Sequence, residues 1–295
     1  MNLSPATIFF VAAGIAALSA MDAAIKMVAL SDGVMIATWL RYVFGALSLA
    51  PFLLILQKPL PDRAGLKAHA LRGLLLTATS LTFFYGIAVL PLAEAITLAF
   101  VAPLMTPPLA ALLIGEKMRA RALLAAAIGF VGVVITVSGG SASSARGDYP
   151  LAVTAILVSA LLYSLQSLIL RQRAQKDDAI IVAALATVVP LLILTPLTLT
   201  FEPLPSAEAW LPAFIGGALG SIGVLLLVRA YAKAETQQLM VFEYTGLFWA
   251  ALFGWFLFAE QPRPEVFVGA IVIASSCLLV SREGRRPIPA KKSAF

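Results

Sequence analysis

Residues 90–116, LPLAEAITLAFVAPLMTPPLAALLIGE, form an apolar run opened by Pro91, interrupted by Pro103, Pro107 and Pro108, and closed by Gly115 and Glu116. A run this long and apolar reads as a membrane-crossing helix. A proline inside a helix removes a backbone donor and crowds the carbonyl four residues earlier, so this helix has a broken middle. Such a break is tolerated at membrane depth only where the freed backbone groups face protein or a wet cavity. Residues 234–260, AETQQLMVFEYTGLFWAALFGWFLFAE, repeat the layout 144 residues later: the same length, a small residue in mid-span (Gly246, near the place of Ala102) and an apolar run closed by a small residue and a glutamate. Identity between the copies is confined to Leu113 with Leu257 and Glu116 with Glu260, so layout rather than letters carries the comparison. Two copies predict a duplicated architecture.

Composition decides the solvent. Of 295 residues, 61% are hydrophobic and 12% charged, with a mean hydropathy of +0.96; a soluble domain carries about twice that charged share. The chain is therefore expected to be a polytopic membrane protein whose main partner is the lipid bilayer. Its single cysteine, Cys277, forms no intramolecular disulfide. The opening segment lacks a basic leader region and continues to spanning length, so it reads as the first helix rather than a cleaved signal.

At about 20 apolar residues per span, ten helices are expected: 5–29, 33–56, 68–90, 91–114 and 120–138, then 149–171, 179–200, 208–231, 236–259 and 264–281. Residues 1–138 form one five-helix repeat and 149–281 the second. A Gly/Ser-rich linker, 139–148, lies between them, and 282–295 is a basic tail. Five is odd, so the second repeat enters the membrane with the opposite orientation, an inverted repeat. The fold class is thus all-α, ten transmembrane helices in two inverted repeats. On this count all Lys and Arg except Lys26, Arg41, Arg146 and Arg263 fall on the side that holds both termini. That bias makes the termini cytoplasmic, and it accounts for the basic balance without nucleic acid.

Ionisable groups inside a span are costly and default to functional candidates. Ser19, Asp22 and Lys26 share one face of the first helix, and Ser159, Tyr163 and Gln166 share one face of the sixth. The plain alternative for Asp22 and Lys26 is a local i,i+4 pair that only fixes packing. Depth at 1.5 Å per residue allows Asp22 to meet Arg41 on the outer side and Arg72 to meet Glu243 on the inner side, giving two gating ion pairs; snorkelling is the alternative for Arg72 and the better reading for Arg229. Thr77, Thr79, Ser80 and Thr82 put hydroxyls near mid-membrane, suiting a substrate site or simple helix–helix glue. Trp39, Phe83, Phe100, Phe242, Tyr244, Phe248 and Trp249 supply mid-span aromatics for packing or for a cavity wall. Candidate cavity residues are therefore Ser19, Asp22, Trp39, Arg41, Thr79, Ser80, Phe83, Phe100, Tyr163, Gln166, Glu243 and Tyr244. Gly216, Gly217, Gly220 and Gly223 mark close contacts on the eighth helix, Gly129 and Gly132 on the fifth, and Pro190 and Pro196 break backbone hydrogen bonds in the seventh. No nucleophile–base set, metal-ligand spacing or phosphate-binding glycine loop is present, which argues against an enzyme and an ATP-driven pump, and no cofactor is expected.

The ten-helix layout, the Trp39-Leu40-Arg41 segment, Leu71-Arg72-Gly73 and the fourth-helix run ending Gly115-Glu116 before a basic loop resemble the EamA branch of the drug/metabolite transporter superfamily. The second copy departs from the pattern, with Ala259-Glu260 for Gly-Glu and Leu247 where Pro103 would recur. The resemblance implies a secondary carrier of the bacterial inner membrane with a central cavity opening alternately to each side. It points to amino-acid export, with aromatic and other neutral amino acids included. The alternatives are a carrier of another metabolite or drug, a membrane-embedded enzyme, and a structural or receptor-like protein.

Overall fold

Helix ends are set by local signals. In the computed structural model, which describes residues 5–56, 58–115, 120–138, 148–173, 176–231 and 245–281, α1 (Pro5–Asp32) turns into α2 (Val34–Leu56) at Gly33, whose φ of 92° suits a residue without Cβ. α3 (Arg63–Val89) starts at Asp62, whose carboxylate accepts the Gly65 N–H at 2.8 Å, five residues ahead of the expected start. The broken helix follows as α4 (Leu92–Ala99) and α5 (Ala102–Ile114), the latter stopped by Gly115 at φ 73°. α6 spans Ala120–Ser138 and α7 Tyr149–Arg173. α8 (Ala179–Phe201) is capped by Asp178 and α9 covers Trp210–Tyr231. α10 (Thr245–Phe258) and α11 (Pro264–Ser281) complete the described helices. Among the described residues there is no strand. Seven segments of the described residues are long and apolar enough to cross a membrane, α4 and α5 counting together as one, and α6, α10 and α11 contain shorter apolar stretches.

Pro190 and Pro196 lie inside α8, which runs through both. Each proline leaves one carbonyl, Ala186 and Leu192 respectively, without its helical donor. The surrounding turns hold their geometry, with Thr195 Oγ1 donating to Leu191 O at 2.7 Å.

Packing follows the duplication. α1 lies along α9 and α3 along α7; α2 packs on both α8 and α9; α6 pairs with α11. Counting helices from the start of each half, α1 on α9 is a first helix on a third and α3 on α7 a third on a first, the same contact with the halves exchanged. Small residues make these approaches close. Gly14 and Gly223 face each other across α1 and α9, a Cβ on either meeting the other's carbonyl at 3.2 and 3.1 Å. Gly216 and Gly220 seat Ile25 and Met21 of α1, while Gly217 meets the backbone of α2 at Phe44 and Gly45. The glycines of this helix therefore serve tight packing. A large buried cluster runs from Ile25, Leu40 and Phe84 to Leu98, Leu104 and Ile156, drawing on both halves.

Candidate functional site

The break lies one turn earlier than the prolines alone indicate. α4 ends at Ala99 with Phe100 as its cap and α5 begins after Val101, with Val101 N–H donating to Leu98 O at 3.2 Å and Leu104 N–H to Val101 O at 3.0 Å. Pro103, without an N–H, deprives the Ala99 carbonyl of its helical donor; Pro107 and Pro108 continue α5. α7 braces the junction, because Ser164 Oγ donates to Ala102 O at 2.8 Å. Across from it, Gly246 at the start of α10 faces Ile15, the Phe100 ring and Ser19, at 3.6, 3.8 and 3.9 Å from where its Cβ would stand. The broken helix, α1 and α10 thus converge on Phe100 and Ser19.

On α1 the expected polar face is buried: Ser19 is 6% exposed, Asp22 9% and Lys26 1%. Among the described residues Ser19 and Asp22 make no side-chain hydrogen bond, and Asp22 forms no ion pair within 4 Å. The local Asp22–Lys26 pair is therefore corrected. Lys26 Nζ instead donates to Glu260 at 2.5 Å and to Leu90 O at 2.8 Å, and lies 5.0 Å from the Phe258 ring centroid. Asp22 and Arg41 are not brought into direct contact either. The Arg41 Nε–H points to Met21 Sδ at 3.2 Å, and its guanidinium stacks over Tyr42 and Phe84 at 4.7 and 5.8 Å. Its field still reaches the Asp22 carboxyl.

A second group forms further along α3. Buried Arg72 donates from Nε to Gln166 Oε1 at 3.0 Å and from a terminal nitrogen to Val182 O at 3.4 Å, with Tyr42 and Tyr163 within its electrostatic reach. The Tyr42 and Ser80 hydroxyls share a 2.7 Å hydrogen bond. Arg72, Tyr163, Gln166 and Ser80, scattered in sequence, are thus gathered. Tyr163 is 52% exposed while Gln166 is 3% exposed, so the group runs from the surface of α7 into the interior. Glu243, Tyr244 and Phe242 lie outside the described residues, and with them the Arg72–Glu243 pair. Trp39 Nε1–H donates to Thr195 Oγ1 at 3.0 Å, a tie between α2 and α8. Thr77, Thr79 and Thr82 bond carbonyls of their own helix, and Phe83 meets Phe84 edge-on at 5.7 Å.

Two ion clusters escaped the sequence reading. At one end, Glu94 (1% exposed) accepts Arg263 at 2.8 Å and the Tyr149 hydroxyl at 2.5 Å, while Glu260 takes Lys26 on one oxygen and the Leu92 N–H on the other at 2.8 Å. At the other end, His69 and Arg173 both reach Asp177, at 2.9 and 2.8 Å, and Lys58 reaches Asp178 at 3.4 Å. One signal for the first was present: the small-residue–glutamate ending of both broken-helix copies. Gly115 and Ala259 adopt positive φ, 73° and 53°, and the turn at Ala259 aims Glu260 back over the helix end. Among the described residues no His, Cys, Asp and Glu group is arranged to hold a metal ion.

A membrane chain whose described elements are all helical, whose two halves pack with exchanged partners and whose first helix buries ionisable groups, has the construction of a solute transporter. The comparisons agree. The model of the EamA-like transporter family matches residues 5–138 and again 150–282, and the chain belongs to that family, within the EamA branch of the drug/metabolite transporter superfamily. It is 22% identical to an S-adenosylmethionine uptake transporter of Rickettsia prowazekii, covering 85% of this chain and 84% of that one. It is 30% identical to an uncharacterized transporter of Helicobacter pylori, covering 74% of each. A pseudopaline exporter of Pseudomonas aeruginosa is 25% identical, covering 75% of this chain and 77% of that one. A solved crystal structure superposes over 97% of this chain and 100% of its own with a TM-score of 0.63 at 18% identity, a likeness of fold.

Proposed function

We propose that this protein is a ten-span carrier of the bacterial inner membrane, with both termini cytoplasmic, that exports amino acids by alternating access between its two inverted repeats. The Lys and Arg bias supports the orientation, and the duplicated family match supports the repeats. The observation that carries the substrate reading is the pair Asp22 and Arg41. They are a buried acid and a half-buried base, neither bonded to the other, and among the described residues neither meets an oppositely charged group within 4 Å. An amino acid supplies an ammonium for the one and a carboxylate for the other, while Phe83 and Phe100 offer apolar walls to its side chain. Ser19, Trp39, Thr79, Ser80, Tyr163, Gln166, Glu243 and Tyr244 complete the proposed cavity, and Arg72 and Glu243 its inner gate.

The same head group is present in S-adenosylmethionine, whose methionine part is an amino acid, so the uptake transporter among the relatives fits this chemistry while moving its solute the other way; the pseudopaline exporter supports outward movement. Transport runs down the solute gradient without a coupling ion. Counterflow in proteoliposomes tests the reading: unlabelled phenylalanine, threonine or lysine inside, labelled tracer outside, with and without a pH gradient, and S-adenosylmethionine as competitor. Accumulation that survives collapse of the gradient is expected. Absence of accumulation for every amino acid, from folded protein, refutes it in favour of another metabolite or drug.

A further inference from the structure

We propose that the turn 259–263 between α10 and α11 is a strap across the outer mouth and that Lys26–Glu260 is its release point. The inference rests on alternating access but not on the identity of the solute. Both charged residues of the strap reach into the first half. Glu260 holds the Leu92 N–H, the first donor of α4, and Arg263 holds Glu94 within the first turn of α4. α4 also packs against α10 and α11, so strap and α4 form one unit. A buried side-chain tie from that unit to α1 is Lys26, which grips Glu260 and the Leu90 carbonyl on the adjoining α3–α4 turn.

Lys26 is 1% exposed and carries its charge within the membrane span, one helical turn beyond Asp22. A charge buried there is held by its partners and is released when water reaches them. Outward opening therefore separates α1 from the α4–strap unit: the ammonium leaves Glu260 and Leu90 for water, and Glu260 stays on the Leu92 N–H. Since α1 also carries Ser19 and Asp22, the helix that binds solute is the one the strap holds shut.

The test needs no substrate. Ser19→Cys, introduced on a Cys277→Ala background, reports from beneath the strap, and a membrane-impermeant maleimide is added to intact cells. Lys26→Met and Glu260→Gln are each expected to speed labelling at least about tenfold, the factor that corresponds to 1.4 kcal/mol, with the double variant no faster than either single one. Unchanged labelling in both single variants, or effects that multiply in the double variant, overturns the proposal. Should either single variant fail to fold with one charge left unpaired, the double variant, which buries neither charge, decides: fast labelling upholds the strap and wild-type labelling refutes it. Failure here leaves amino-acid counterflow untouched, and failure of counterflow leaves this result untouched.

Discussion

Gly217 and Gly246 separate packing from function. A methyl added at Gly217 on α9 meets Phe44 Cβ at 2.5 Å, Gly45 N at 2.8 Å and the Phe44 carbonyl carbon at 2.9 Å, the last two being backbone of α2 that no rotamer change moves. Overpacking costs about 1–3 kcal/mol, and a clash with backbone belongs at the upper end. Replacing glycine in a helix interior returns about 0.8–1.0 kcal/mol of propensity. Gly217→Ala should therefore lose about 2 kcal/mol. At roughly 2–4 °C per kcal/mol for a chain of this size class, Tm in detergent should fall by about 4–8 °C. At Gly246 the nearest neighbours stand at 3.6–3.9 Å, ordinary contact distance. Gly246→Ala should leave Tm within about 2 °C of wild type, while placing a methyl between Ser19 and Phe100 and reducing counterflow several-fold. Thermal melting of the two purified variants beside a proteoliposome assay reads both effects. A Gly217→Ala protein that melts like wild type, or a Gly246→Ala protein that melts as low as Gly217→Ala, refutes the reasoning.

Asp22→Asn and Arg41→Gln should each reduce amino-acid counterflow at least about tenfold, the weight of one charge-assisted contact, with unchanged gel-filtration profiles; full activity in either removes the zwitterion reading. Arg263→Met strands the buried Glu94 carboxylate with Tyr149 as its remaining partner, a loss of about 3 kcal/mol, and adding Glu94→Gln should recover much of it; a double variant less stable than Arg263→Met contradicts this account. Near the loop between α7 and α8, hydrogen bonds from Arg173 and then from His69 hold the Asp177 carboxyl below its ordinary 3.8. Because the folded value is the lower one, the associated stability is fully present above 3.8 and lost as pH falls through the depressed value. Asp177→Asn should remove that acid limb from the pH–Tm curve, and an unchanged limb assigns it to other groups.

The broken helix was legible because proline acts locally: Pro103 lacks a donor wherever it stands, and Phe100–Val101 gives way beside it. Yet the same residue type at Pro190 and Pro196 leaves α8 continuous, with Thr195 bonding the Leu191 carbonyl within the helix. Helical periodicity identified Ser19, Asp22 and Lys26 as one buried face. Periodicity names a face but not what lies opposite it. The partner of Lys26 is 234 residues away, and that of Glu94 lies on the turn after α10. Depth counting brought Asp22 level with Arg41 without revealing that Met21, Tyr42 and Phe84 occupy the guanidinium.

Composition, the duplicated layout and the charge bias were thus enough to define a membrane chain of two related halves and to select the residues too costly to bury without purpose, because the bilayer penalises every unsatisfied polar group wherever it lies in the chain. Which of those residues bond one another was decided by the tertiary structure alone. An ion pair depends on a separation of a few ångströms between helices, and that separation is set by glycine contacts such as Gly14–Gly223 and Gly217–Gly45.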